Sequence, residues 1–127
     1  MEKEQVLFTK TALKNLRNIG LYTQRKWGKK QAHRYIRSLI SECHLMAPQQ
    51  KLKPHIKPLA LPELFLHKTN HHYIIFKRPE EHSVTILNFF HERMDIPTRL
   101  KEMQHLSEND IKLAGKESIL TKLFDFV

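Results

Sequence analysis

The stretch that most limits the fold is Val84 to Asp95, VTILNFFHERMD. Val84, Ile86, Leu87, Phe89 and Phe90 are interrupted only by Thr85 and Asn88. β-Branched, aromatic and aliphatic side chains of this kind suit a pleated, buried surface. A short apolar run also fits a buried helix segment. Here a polar turn precedes it and His91-Glu92-Arg93-Met94-Asp95 closes it, which favours a strand. Apolar residues at both parities predict a central strand covered on both faces. The charged cluster then stands at the end of a rigid sheet and reaches solvent, a place suited to binding or catalysis.

The 127 residues are expected to form one principal domain with a core of its own. Cys43 is the only cysteine, so no internal disulfide forms, and a reducing compartment is expected. The charged opening Met1-Glu2-Lys3-Glu4-Gln5 is unlike a signal peptide, and no run is apolar enough to span a bilayer. The expected location is the cytoplasm, with no membrane partner. Net charge is +9, and it is segregated. Thr9 to Pro58 carries twelve Lys or Arg against one acid, Glu42, hence +11, and the remainder carries ten bases against twelve acids, hence −2. Such one-sidedness attracts polyanions or acidic partners, although a solvated helical face is the plainer explanation.

Gln5–Phe8 reads as a first strand. Thr9 or Thr11 then caps a helix, along which Leu13, Leu16, Ile19 or Gly20, Thr23 and Trp27 keep helical spacing. Gly20 costs that helix about 1 kcal/mol relative to alanine, a cost compatible with close packing of a neighbour. Gly28 ends it and Lys29-Lys30 begins a second helix. Ala32, Tyr35, Ile36, Leu39, Ile40, Cys43 and Met46 make one apolar stripe along the second helix, and Pro48 stops it. So short a join predicts an antiparallel helical hairpin. Gln49 to Pro62 reads as a proline-punctuated connector bearing Lys51, Lys53 and Lys57. Strands are expected at Leu64–His67, His72–Arg78 and Val84–Phe90, with turns at Lys68–His71 and Pro79–His82, forming an antiparallel meander. Pro97 opens a helix over Thr98 to Leu106, with Leu100, Met103 and Leu106 spaced to dock. Ser107 to Val127 reads as a C-terminal helical extension docked on the domain, with a very apolar end. The fold class is α+β: a first strand and a helical hairpin packed on an antiparallel sheet.

No self-sufficient catalytic signature is present. Three glycines make no phosphate loop, one cysteine makes no thiolate zinc site, and no histidine pair brackets a helical glutamate. No metal or cofactor is therefore expected. Cys43 lies on an apolar stripe, where a buried, inert thiol is the default. One enzymatic arrangement is worth stating. Metal-free RNA cleavage needs a base, an acid and cations for the phosphate. His91 could supply the proton transfer, Arg93, Lys77 and Arg78 the phosphate grip, and His67 a further acid or base. The plainer alternative has His91 satisfying backbone groups while Arg93 and Asp95 pair, or Asp95 capping a helix. A nucleic-acid-binding module is a third reading. Its weakness is that Tyr22, Trp27 and Tyr35 are the only aromatics among the bases, and Trp27 and Tyr35 look packed.

From Gln5 to about Leu106 the chain resembles the RelE/ParE family of toxins. Four stretches carry the resemblance: Ala12-Leu13, Leu16, Ile19 and Tyr22-Thr23; Trp27-Gly28 with Gln31-Ala32, Tyr35 and Leu39; His72-Tyr73-Ile74-Ile75-Phe76-Lys77; and Ile86-Leu87 with His91-Glu92-Arg93-Met94-Asp95. The last is the most ParE-like. The resemblance implies a domain over residues 1–106, an extension over 107–127 beyond the usual domain, and a toxin of a type II toxin–antitoxin system. A cognate antitoxin would wrap an acidic or amphipathic tail around the hairpin and sheet. RelE-like members cut messenger RNA on the ribosome, whereas ParE-like members poison DNA gyrase. The His91–Asp95 ending and the lack of a recognisable RelE catalytic set place this chain on the ParE side, with the ribonuclease as the alternative. The contact residues expected for partners are Arg25, Lys29, Lys30, Arg34 and Arg37 on the hairpin, and His91, Arg93 and Asp95 at the strand end. The assembly expected is a toxin–antitoxin heteromer or a homodimer.

Overall fold

The computed structural model of the protein describes residues 5–47, 57–58, 64–79 and 82–103. The first strand, β1, is Gln5–Phe8. Thr9 then turns the chain into α1, Lys10–Trp27, and of the two threonines considered it is the cap. Its hydroxyl oxygen accepts from the Ala12 N–H at 3.0 Å and donates to the Leu87 carbonyl at 3.0 Å. One side chain thus satisfies an orphan donor of the helix and ties its start to the central strand.

Gly28 alone joins α1 to α2, Lys29–Met46. Its N–H donates to the Gln24 carbonyl at 2.8 Å, and its own carbonyl accepts from Ala32 at 3.1 Å. It closes one helix and opens the next at φ 91° and ψ 167°, a region essentially reserved for glycine. Ala32, Ile36, Leu39, Cys43 and Met46 are buried along α2, as their spacing predicts. In α1 the buried face is Ala12, Leu16, Gly20 and Thr23. Trp27, expected to continue that face inward, is instead 65% exposed.

The sheet has five strands in the order β1-β5-β4-β3-β2. β2 is Lys57–Pro58, β3 Phe65–Thr69, β4 His72–Lys77 and β5 Ser83–His91. The meander β3-β4-β5 is antiparallel, as expected, and β1 lies parallel to β5. Several boundaries differ from the sequence reading: β4 ends at Lys77 rather than Arg78, and β5 is one residue longer at each end than Val84–Phe90. β3 runs on through Lys68 and Thr69, so the turn is only Asn70-His71, with Asn70 at φ 53°. Part of the connector is a short edge strand, since Lys57 faces Leu66 and Pro58 faces Phe65. Proline is tolerated there because an edge leaves one side of the ladder unused. The last helix, α3, is Ile96–Met103, beginning two residues before Thr98. The remainder of the connector, the end of that helix at Leu106 and the extension over 107–127 lie outside the described residues.

β5 is central and covered on both faces. The hairpin side holds Phe8, Leu16, Ile36, Leu39, Ile74, Phe76, Val84, Ile86 and Phe89. The other side holds Leu64, Ile75, Leu87 and Phe90, closed by Ile96, Leu100 and Met103 of α3. The two parities are not a simple alternation. Ile75 faces Asn88 while the next residue, Phe76, faces Ile86, so Leu87 is an extra residue on β5. This β-bulge reverses the facing of the strand from Phe89 onward. Strict alternation from Val84 would bring Phe90 to the hairpin face; the bulge brings Phe89 and His91 there instead, while the Asn88 side-chain oxygen still accepts from the Asn15 amide of α1.

Candidate functional site

α2 runs alongside β4 in the same direction. Tyr35, in its second turn, meets His72 at the start of β4, and Ala47, just past its end, meets Arg78 after the end of β4. The first turn and a half of α2 therefore extends about 9 Å beyond the start of β4. The hairpin tip overshoots the sheet at the end where β5 delivers His91.

At that end three rings meet on the hairpin side. The Tyr35 hydroxyl lies 2.6 Å from Nδ1 of His72. His72 faces His91 across the β4–β5 ladder, with ring centroids 5.0 Å apart, edge to face. His72 is buried, and its pKa is lowered to about 4, first by desolvation and then by His91 and His71. It is thus a neutral acceptor at physiological pH, suited to the Tyr35 O–H as donor. Burial likewise raises the Tyr35 pKa, so that hydroxyl keeps its proton.

Outside the rings lies a charged rim. Glu92 meets Nδ1 of His71 at 3.0 Å and Nζ of Lys68 at 3.3 Å. The His71 hydrogen bond, followed by Lys68, holds its carboxyl below the usual range. The Glu92 N–H donates to the His71 carbonyl at 2.8 Å, which ties the β3–β4 turn to the end of β5. His91 accepts the Arg93 N–H on Nδ1 at 3.1 Å, as the plainer reading expected. Asp95 caps α3: its carboxylate accepts from Thr98 Oγ1 at 2.6 Å, and its carbonyl accepts from the Arg99 N–H at 3.1 Å. Arg93 and Met94 are exposed beside it.

The side chains suggested for RNA cleavage are not brought together. Lys77 faces Thr85, five residues along β4 from His72, a separation of about 17 Å. Arg78 is occupied elsewhere, as its guanidinium donates to the Met46 and Ala47 carbonyls at 2.5 and 3.1 Å. That contact caps the C-terminus of α2 and neutralises its partial negative charge. His67 is buried one strand away, with Nε2 2.7 Å from the Glu42 carboxylate. Only His91 and Arg93 remain neighbours. Tyr35 and His72, the immediate surroundings of His91, were not singled out from the sequence. Regular pairing onward from Lys77 and Thr85 sets His72 opposite Phe90, and only the bulge makes it His91.

Arg25, Lys29, Lys30, Arg34 and Arg37 are all exposed on the hairpin. Cys43 is fully buried, and burial pushes its thiol pKa up. Among the described residues no group of three or more His, Cys, Asp or Glu side chains is placed to hold a metal ion, and no helix is long and apolar enough to cross a membrane.

Residues 6–96 match the family described as the ParE toxin of type II toxin–antitoxin systems, parDE. The chain is 31% identical over 96 residues to Toxin ParE of Escherichia coli, covering 76% of this chain and 92% of that protein. Among solved structures it is similar to a chain of the chromosomal ParDE toxin–antitoxin system from P. aeruginosa, with a TM-score of 0.55 and 14% identity. That likeness covers 68% of this chain and 94% of the other, and at such identity it is one of fold.

Proposed function

Because this chain belongs to the ParE toxin family of type II toxin–antitoxin systems, we propose that it inhibits DNA gyrase in the cytoplasm and is held inactive by a cognate antitoxin. The observation that carries the choice of target is the dispersal of the phosphate-gripping side chains. A metal-free ribonuclease needs its acid, base and cations around one phosphate. Here Lys77 is about 17 Å from the His72–His91 end, Arg78 caps α2, and His67 is bound to Glu42. What stands at the end of β5 is a braced, solvent-facing cluster, which suits recognition of a protein surface.

On this reading His91, Arg93 and the segment capped by Asp95 form the surface offered to gyrase. The basic hairpin face with Arg25, Lys29, Lys30, Arg34 and Arg37 receives an acidic antitoxin tail. The test is inhibition of gyrase supercoiling by the purified protein, run beside cleavage of ribosome-bound messenger RNA. Lost supercoiling with intact message is expected. His91→Ala should change inhibition only modestly. Cut message, with a loss of about 10²–10⁴-fold on His91→Ala, would replace this reading with a ribonuclease.

A further inference from the structure

The nucleic-acid reading of the sequence was weakened by the expectation that Trp27 and Tyr35 are packed. For Trp27 the structure reverses that. Trp27 is 65% exposed and Tyr22 49% exposed, while Tyr35 is taken up by His72. Trp27 does sit where the periodicity puts it, four residues after buried Thr23. It is uncovered because the hairpin has by then outrun the sheet that buries Leu16 and Ile36. Around it stand Arg25, Lys26, Lys29 and Lys30, all exposed, and residues 22–37 contain no acid. Lys26 lies 5.7 Å from the centre of the Tyr22 ring, so the second aromatic is already engaged with a cation.

We propose that this hairpin tip binds single-stranded nucleic acid, with Trp27 stacking on a base and the four surrounding cations following the phosphates. A protein anchor is the poorer fit. Aromatic hot spots in protein interfaces lie in desolvated patches from which charge is depleted. Trp27 stands at the hairpin tip between Arg25-Lys26 and Gly28-Lys29-Lys30, with no exposed aliphatic neighbour between Tyr22 and Arg37. An aromatic plane within a ring of cations is the arrangement that single-strand binders use, since every base has a face to stack and every nucleotide a charge to neutralise. This binding goes beyond gyrase inhibition and does not depend on it. An acidic antitoxin tail on the same hairpin would compete with it.

Trp27 is the only tryptophan of the chain, so its fluorescence reports the contact directly. The full-length protein is titrated with oligo(dT) of about 20 nucleotides, with the matching duplex, and with polyglutamate of equal charge. Expected are quenching of Trp27 by oligo(dT) and weaker binding of the duplex. With four phosphates neutralised, affinity should fall about 50-fold between 50 and 200 mM salt. Trp27→Ala, followed by anisotropy of labelled oligo(dT), should weaken binding about tenfold or more. Lys29→Glu combined with Lys30→Glu should abolish it at 100 mM salt. Both variants alter exposed residues, and circular dichroism checks that the fold is kept. The proposal is overturned by no binding at 50 mM salt, or by affinity unaffected by Trp27→Ala, which would leave charge alone. Equal quenching and affinity with polyglutamate would also overturn it, making the tip a reader of acidic polypeptide.

Discussion

His72 sits where a positive charge has little solvent to stabilise it and two further imidazoles for company. Its pKa of about 4 in the folded protein, against about 6.5 unfolded, makes the unfolded chain the better proton acceptor between those values. Stability therefore falls as pH drops from 6.5 towards 4 and is indifferent to this group above 6.5. By pH 5 the loss from His72 alone is about 2 kcal/mol. Urea midpoints at pH 7 and pH 5 should show it, and His72→Phe should shrink the difference between the two. An unchanged pH dependence in that variant would assign the loss to other groups. Cys43 makes a complementary case. With its thiol buried and its pKa raised, it should react with an aromatic disulfide reagent only after denaturation. Rapid labelling of the native protein would mean that the hairpin opens away from the sheet. The two residues were unequally legible. An apolar stripe identifies Cys43 as buried, whereas the surroundings of His72 depend on one extra residue in the neighbouring strand.

That extra residue belongs to the scale of elements, where most of the fold was legible and the failures share a cause. Helical spacing located the hairpin, and three apolar runs separated by polar turns located the meander, because both signals are local. Whatever depends on where an element stops relative to its neighbours was not legible. Trp27 keeps the helical period beyond the point where the sheet can cover it. The bulge at Leu87 turns Phe89 to the hairpin side and Phe90 to the other, and β2 exists only because β3 is there to pair with it. Arg78 likewise looks like a phosphate ligand until the end of α2 is placed beside it. Gly28 is the element junction most open to test. Among the described residues, no atom outside its chain neighbours lies within 4 Å of an added Cβ, so its constraint is the backbone alone, at φ 91°. Gly28→Ala should destabilise the protein by about 1–3 kcal/mol, read as a lower thermal midpoint. An unchanged midpoint would mean that the hairpin is closed by packing and needs no special conformation at its joint.

At the scale of the molecule, two kinds of surface adjoin, the hairpin face and the end of β5. The hairpin face is basic, and its pull on an acidic partner would be long-range and salt-sensitive. The strand end is smaller and braced by short hydrogen bonds from Asp95, Glu92 and the Tyr35–His72 pair. If the antitoxin is steered by the first and gyrase reads the second, the two activities should separate by mutation. Lys30→Glu with Arg34→Glu should slow association with the antitoxin by tenfold or so at low ionic strength, with a smaller effect at high salt. It should leave inhibition of supercoiling within about twofold, since both residues are exposed and lie on α2. Arg93→Ala should do the reverse, weakening gyrase inhibition while antitoxin association proceeds at its normal rate. Surface plasmon resonance at two salt concentrations and a supercoiling assay on the same preparations measure both quantities. Parallel losses in both variants would refute the separation, because a charge reversal on the hairpin reaches the end of β5 only if one partner covers both. In that case the antitoxin would neutralise the toxin by occupying the target's own surface, and the tip and the strand end would form a single interface.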